Sequence, residues 1–289
     1  MRFEDLHSLI ARLEADEGLY LPAQLRNRIE ALDHLDAHLG GDTETGFRPR
    51  SEGAGILERA ATLRVRLEAA NAEVYRAIRE AIRGGNADSL RDRISLYRDP
   101  QQKTAPGLGY DYFDEFIAGV LQIREPPNGP ILSGPEQVFY QPTPVRHALT
   151  MVDRSGLSAD GVLFDIGSGL GQFCIVASIL TGARAIGVEI ESSYVESARE
   201  CVRNLRLNRV TFLQADAREA DFSSGTVFHL YTPFTGSILR TVLNRLQEES
   251  AKRPITICTL GPCTDVVARE PWLSADTKPD TDLVTVFRP

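Results

Sequence analysis

Lysine is nearly missing from this sequence: three of its 289 residues are Lys, against 29 Arg. The arginines are scattered and form no patch, and they are outnumbered. Thirty-two basic residues stand against 40 acidic ones, for a net charge of −8 and a pI near 5.3. A general nucleic-acid binder draws its affinity from Lys and Arg against phosphate, so this balance argues against one. The acidity runs through the whole chain, 17 basic against 22 acidic residues over 1–125 and 15 against 18 over 126–289. It reads as solubility. Cysteine is scarce as well. Cys174, Cys201, Cys258 and Cys263 lack the CxxC spacing of metal sites. Three of them stand in apolar surroundings, which fits a reduced, cytoplasmic chain. No apolar run is longer than Phe173–Leu180, against the roughly 20 residues of a membrane helix, so no membrane partner is expected. Met1-Arg2-Phe3-Glu4-Asp5 leads straight into an amphipathic pattern and not into a secretory signal. His34 and His38 stand one helical turn apart, a spacing open to a metal, but no third ligand type clusters with them. No metal is expected.

What is present is a 42% hydrophobic content, enough to fill a core, and a pattern that changes type along the chain. Over residues 3–125 the apolar positions recur at helical spacing: Leu6, Leu9, Ile10 and Leu13, then Leu25, Ile29, Leu32, Leu35 and Leu39. A glycine-rich stretch, Gly40–Gly55, interrupts them. A long helix follows with Leu57, Leu63, Leu67, Val74 and Ile78 on its inner face, ending at Gly84-Gly85. Two shorter helices are expected at about 87–98 and 110–123. Pro126-Pro127-Asn128-Gly129-Pro130 and Gly134-Pro135 cannot be helical and mark a boundary. Beyond it come short β-branched runs, Val162–Ile166, Arg184–Val188, Val210–Gln214, Val227–Tyr231 and Ile255–Leu260, separated by helical segments at about 171–181, 193–206 and 236–250. That alternation implies an α/β domain with a parallel sheet covered on both faces. A short helix (264–269) and a terminal antiparallel hairpin, Trp272–Ala275 with Leu283–Arg288, complete the expectation. The domains are therefore an all-α one over 1–125 and an α/β one over 126–289.

The chemistry is concentrated where the first strand of that sheet ends. Asp165-Ile166-Gly167-Ser168-Gly169-Leu170-Gly171 turns from strand to helix, at the sheet edge where open α/β folds hold ligands. Glycines let the turn close and let backbone N–H groups approach a ligand. Eighteen residues past Gly171, the second strand ends in Gly187-Val188-Glu189, where an acid can accept both ribose hydroxyls of a nucleoside. The third strand ends in Gln214-Ala215-Asp216-Ala217, placing Asp216 to take an adenine amine. Dinucleotide enzymes share much of this, but their fingerprint is GxGxxG, and here Gln172 follows Gly171. Asp165 also would repel a pyrophosphate, whereas S-adenosylmethionine brings an ammonium and a sulfonium. The set favours that methyl donor as cofactor.

These residues resemble the class I S-adenosylmethionine-dependent methyltransferases, over about residues 136–289. Phe164–Gln172 followed by Gly187-Val188-Glu189 is most similar to the non-SET lysine methyltransferases of the disruptor-of-telomeric-silencing type. The resemblance implies a Rossmann-like sheet, with Gln172 near the methionine moiety, Glu189 on the ribose and Ser168 among the cofactor-binding residues. Tyr140-Gln141-Pro142-Thr143-Pro144 takes the place of that family's loop before the first strand. It would cover the methionine end and help form the substrate channel, with Thr143 a cofactor-binding residue and Tyr140 on the catalytic side. At the end of the fourth strand, where such enzymes present the acceptor, this chain has Tyr231-Thr232-Pro233-Phe234 in place of that family's Asn-rich motif.

Two readings of that tetrapeptide stand side by side. In the functional one, Phe234 walls the acceptor, Tyr231 orients its lone pair and Thr232 is the polar group; in the other, Tyr231 and Phe234 cap the core. His229, two residues earlier, is either a general base or a hydrogen-bonded core residue. Pro262-Cys263 follows the fifth strand, not the fourth, so a nucleophilic cysteine is not expected. Methyl transfer to a nitrogen or oxygen nucleophile needs mainly alignment and exclusion of water, which suits a chain showing no strong acid–base pair. The acceptor is either a protein side chain such as lysine or a small molecule, and the helical domain is expected to shape its cleft. The contrasting expectations are a non-catalytic cofactor-binding scaffold that docks a partner, and an oxidoreductase.

Overall fold

The computed structural model describes residues 3–39, 51–97, 109–127, 136–138 and 140–289. Gly40–Arg50 of the glycine-rich stretch and Asn128–Pro135 of the expected boundary lie outside the described residues. The chain divides into two compact units, residues 1–80 with 92–99 and residues 81–91 with 100–289. The second unit thus begins earlier in the chain than the proline-rich stretch at 126–130.

The first unit is helical. It holds α1 (Phe3–Ala15), two 3-10 turns at Glu17–Tyr20 and Pro22–Gln24, α2 (Leu25–Leu39), most of α3 (Ser51–Arg83) and the end of α4 (Asp88–Tyr97). The periodic positions fill its core: Leu6, Leu9, Ile10, Leu13, Leu35, Leu63 and Leu67 are buried together, while Leu32 and Leu57 are half-buried against them. Arg28 is fully buried here. Its Nε donates to Asn71 Oδ1 (2.6 Å) and its Nη1 to the carbonyls of Leu19 (2.7 Å) and Leu21 (2.6 Å). A buried cation needs such partners to offset its lost hydration. Here they tie α2 and α3 to the 3-10 turns. His34 and His38 lie on an exposed part of α2, where His38 Nδ1 meets the His34 carbonyl. Among the described residues no group of three metal-ligating side chains occurs.

The second unit is built on a seven-stranded sheet. Its strands are β1 (Val162–Ile166), β2 (Arg184–Glu189), β3 (Val210–Gln214), β4 (Val227–Tyr231), β5 (Thr256–Leu260), β6 (Ser274–Ala275) and β7 (Thr285–Arg288). The order is β3-β2-β1-β4-β5-β7-β6, parallel through β5 and antiparallel at β7 and β6. This is the α/β, Rossmann-like arrangement expected from the alternation. The terminal hairpin is shorter than expected, since pairing begins only at Ser274 and Thr285.

Alternation along β1 separates two faces. Phe164 and Ile166 join Phe228, Leu230 and the apolar side of α9 (Gly236–Ser250) in one cluster, where Phe164, Phe222 and Phe228 meet at 5.5–5.7 Å. Asp165 faces the other way, toward α7 (Gln172–Thr181), whose Cys174 touches it. Glycines in the left-handed region open and close α7, Gly171 at φ 78° and Gly182 at φ 74°. The strand order reverses between β1 and β4, so the cleft at their carboxyl ends is the switch point where such sheets bind ligands.

Two helices of this unit precede the sheet. Helix α5 (Tyr112–Leu121) is capped by Asp111, which accepts from Phe113 N while Asp114 returns the bond to Asp111 N. Helix α6 (Val145–Ser155) has no counterpart among the sequence-based expectations. Val145, Ala148, Leu149 and Met151 bury its inner side, but Arg146, Thr150, Asp153 and Arg154 dilute the period within only three turns. Helix α8 (Ser192–Leu205) links β2 to β3.

Candidate functional site

At the switch point a cavity of about 280 Å³ opens over the carboxyl ends of β1, β2 and β4. Its floor is the glycine loop. Gly167, Gly169 and Gly171 all have positive φ (77°, 52° and 78°), a conformation costly for any residue with a Cβ. Each is also closed over by a side chain. A Cβ on Gly167 would lie 2.1 Å from Pro233 Cβ, on Gly169 2.0 Å from the Tyr140 ring, and on Gly171 2.2 Å from the Phe212 ring. The three glycines therefore answer to sterics on three sides: the β4 end, the loop before β1, and β3.

Glu189 ties the loop to β2. Its Oε2 accepts from Gly169 N (2.9 Å), and its Oε1 from Ile190 N (2.8 Å) and Glu191 N (2.9 Å). Burial nevertheless raises its carboxyl above the usual value, against the pull of those amides. Asp216 behaves oppositely. The Arg218 guanidinium at 2.6 Å, with the Arg218 N–H, holds it below the ordinary range. Ala217 is buried in the sheet core. Gln172 donates to the Thr143 carbonyl (3.4 Å), joining the start of α7 to the segment before α6. That segment is itself held: Tyr110 Oη donates to the Pro142 carbonyl (2.9 Å) and Asp114 Oδ1 accepts from Val145 N (2.9 Å).

The structure brings the two aromatic pieces together. Gln137 pairs with Phe234 in an antiparallel bridge, and Thr235 N donates to the Glu136 carbonyl (2.9 Å). The Glu136 carboxylate then accepts from Ser237 N and Ser237 Oγ at the start of α9. Tyr140, Tyr231, Thr232, Pro233 and Phe234 all line the cavity. Tyr140 packs on Tyr194 of α8 with ring centroids 5.1 Å apart, and burial pushes its hydroxyl well above the usual tyrosine value. Burial likewise pushes Tyr231 up to about 12.

Thr232 differs from the role expected of it. Its hydroxyl donates to the Leu260 carbonyl (3.2 Å) and accepts from Cys263 N (3.1 Å), so it joins β4 to β5 in place of offering a polar group to an acceptor. Thr232 also sits at φ 39°, an uncommon conformation for a β-branched residue. Cys263 is buried beside it. His229 proved to be the partner of Asp165, with Nδ1 2.7 Å from Oδ1. Residues with no sequence signal also line the site: Gln137, Tyr194 and Arg218 come from three separate elements, and only the fold assembles them.

The cavity fits a cationic nucleoside ligand. Asp165, Glu189, Glu191 and Asp216 stand against one guanidinium, Arg218, which Asp216 already engages. Among the described residues Ser168 Oγ, His229 Nε2 and Tyr231 Oη are buried without a hydrogen-bond partner, and all three residues line it. Unpaired buried polar atoms cost about 1–3 kcal/mol each, and a ligand that pairs with them recovers that cost.

Residues 157–249 match the model of a methyltransferase-domain family. A protein-lysine N-methyltransferase of Saccharolobus islandicus is 29% identical over 138 residues, 46% of this chain and 76% of that protein. Among solved structures, an RNA methyltransferase from Salinibacter ruber in complex with S-adenosyl-L-homocysteine is similar. It is 28% identical with a TM-score of 0.41, covering 51% of this chain and 92% of its own. A precorrin-6y C5,15-methyltransferase from Geobacter metallireducens is 20% identical with a TM-score of 0.38, over 51% and 89%.

Proposed function

We propose that this chain, an S-adenosylmethionine-dependent methyltransferase, moves the methyl group to a nitrogen or oxygen nucleophile, and that its acceptor is an amine, a protein lysine side chain foremost. One observation carries the reading: a single cavity joins the glycine loop, a carboxylate excess of four to one and the aromatic end of β4. The cofactor supplies a methyl group already activated by its sulfonium charge.

The chain's own residues then have three tasks. The first is to hold the donor. Glu189 is placed for ribose hydroxyls, Asp216 and Ala217 border the adenine position, and Asp165, Ser168, Thr143 and Gln172 surround the amino-acid end. The second is to exclude water and align the acceptor. Tyr140, Tyr231 and Phe234 form an apolar wall that the Gln137–Phe234 bridge holds over the glycine loop, and alignment is most of what an in-line displacement requires. The third is to attract the acceptor. A cavity rich in carboxylates draws an amine and repels phosphate, which disfavours a nucleic-acid acceptor. The printed name of the lysine-methylating relative points the same way. The resemblance of the cofactor motifs to the disruptor-of-telomeric-silencing type, and the division into a helical domain over 1–125 and a methyltransferase domain over 126–289, belong to the same proposal.

The test is to incubate the protein with radiolabelled methyl donor and lysates split into protein, nucleic-acid and small-molecule fractions. Label in the protein fraction, released as methyl-lysine on hydrolysis, is expected. Label confined to small molecules would overturn the lysine assignment. Donor binding with no label in any fraction would point to the scaffold.

A further inference from the structure

We propose that His229, and not Asp165 alone, receives the ammonium group of the methyl donor's amino-acid end, with Asp165 as the residue that positions it. The inference rests on the donor-binding reading above. It begins with the sheet register. Asp165 of β1 and His229 of β4 are direct partners across the parallel pair, so their side chains leave the sheet on the same face. Both are buried, and Nδ1 lies 2.7 Å from Oδ1. In this proposal the Asp165 carboxylate accepts from Nδ1, and the imidazole presents the lone pair of Nε2 to the cavity.

The surroundings fix the rest. Asp165 Oδ2 meets Cys174 Sγ at 3.8 Å on the α7 side, so both carboxylate oxygens already face protein groups. The Phe173 ring packs on the imidazole at 4.3 Å, which holds its plane. His229 Nε2 has no partner among the described residues, although the side chain lines the cavity. Most buried histidines have both ring nitrogens paired, and His229 leaves Nε2 unpaired at the wall of the cavity. This one offers an acceptor to whatever occupies the cavity, and the negative charge of Asp165 behind it suits that acceptor to a cation.

Placement decides which cation. Asp165 and His229 stand just inside the glycine loop, which begins two residues on at Gly167. Tyr231 lies two residues further out along β4, on the same face. The inner position belongs to the donor and the outer one to the acceptor. In this arrangement the Asp165 carboxylate orients the imidazole, and the imidazole adds a contact to the ammonium beside it.

The experiment uses the full chain, with two probes. S-adenosylhomocysteine carries the amino-acid end; 5′-methylthioadenosine carries the same adenosine and thioether without it. In protein labelled with ¹⁵N-histidine, the first probe should shift the unprotonated Nε2 resonance of His229 while Nδ1 keeps the shift of a protonated nitrogen. The second should leave Nε2 in place. By calorimetry, His229→Asn, whose amide can still donate to Asp165, should weaken S-adenosylhomocysteine about tenfold or more while methylthioadenosine binds as before. The spectroscopic arm is read on the unaltered protein and stands even if the variant fails to fold. Normal S-adenosylhomocysteine binding with an unmoved Nε2, or equal weakening of both probes in the variant, would overturn the proposal. Failure of both probes to bind the unaltered protein would instead overturn the donor reading beneath it.

Discussion

The two walls of the cavity are built on different principles. The glycine-loop wall is held mainly through its backbone: Glu189 takes three backbone amides, Pro233, Tyr140 and Phe212 close over the three glycines, and Ser168 Oγ is left buried and unpaired. The β4 wall keeps polar atoms in reserve, with His229 Nε2 and Tyr231 Oη buried and unpaired. A wall that binds an invariant cofactor is a matter of backbone shape, and backbone shape is stringent about residue type. A wall that receives a substrate is a matter of side-chain chemistry, which many residue types satisfy. The difference makes graded demands on substitution.

The largest effect is expected at the glycine loop. Gly171→Ala sets a Cβ 2.2 Å from Phe212 at φ 78°. Left-handed backbone costs about 1–2 kcal/mol for a residue with a Cβ and overpacking about 1–3 kcal/mol more. A loss of about 2–5 kcal/mol in denaturant unfolding, with donor binding abolished, is expected. Wild-type stability would show the loop to be looser than described.

Next comes Glu189. Glu189→Ala should weaken S-adenosylhomocysteine by about tenfold to a hundredfold, since it removes ribose acceptors and frees three amides. The pH dependence follows from burial, which raises this carboxyl above its ordinary 4.5. The folded state thus holds the proton more tightly than the unfolded chain, so this group favours folding as pH falls through the raised value. Donor binding runs the other way. It is complete above the raised value and declines as pH drops through it, already at a pH where an ordinary glutamate is still charged. Calorimetry across that range reads both trends, and a decline only below 4.5 would contradict them.

At the outer end of the β4 wall, beyond His229, the effects should fall on rate. Tyr231→Phe keeps the ring and removes the unpaired hydroxyl, which burial holds protonated up to about 12. Turnover should drop about tenfold with donor affinity unchanged, as for a contact made mainly in the transition state. Phe234→Ala should show the same split, and equal losses in rate and donor affinity would erase the distinction between the walls. Thr232→Ala is expected to matter least to function. It leaves Cys263 N without its acceptor and costs about 1–2 kcal/mol of stability, with rate per folded molecule nearly intact. A large rate loss would restore Thr232 to the chemistry.

The same contrast explains what the sequence made legible. That Asp165, the glycine loop, Glu189 and Asp216 meet at one cavity was readable because each stands at or near the carboxyl end of a strand. The parallel strands were readable from β-branched runs of fixed length. Helix α6 was not, because polar residues interrupt its few turns. The Asp165–His229 contact was not, because it joins positions 64 apart through a register only the sheet sets. The bond of the Thr232 hydroxyl to the Leu260 carbonyl was not legible either, because it joins the ends of β4 and β5 through a pairing that only the sheet sets.

The central claim is that a carboxylate-rich switch point selects a cationic methyl donor over an anionic dinucleotide. Calorimetric titration of S-adenosylmethionine into the protein, repeated with excess NAD, tests it most directly. One donor per chain, bound with the same affinity whether or not NAD is present, is the expected result. NAD binding at that site more tightly than the methyl donor would contradict the account.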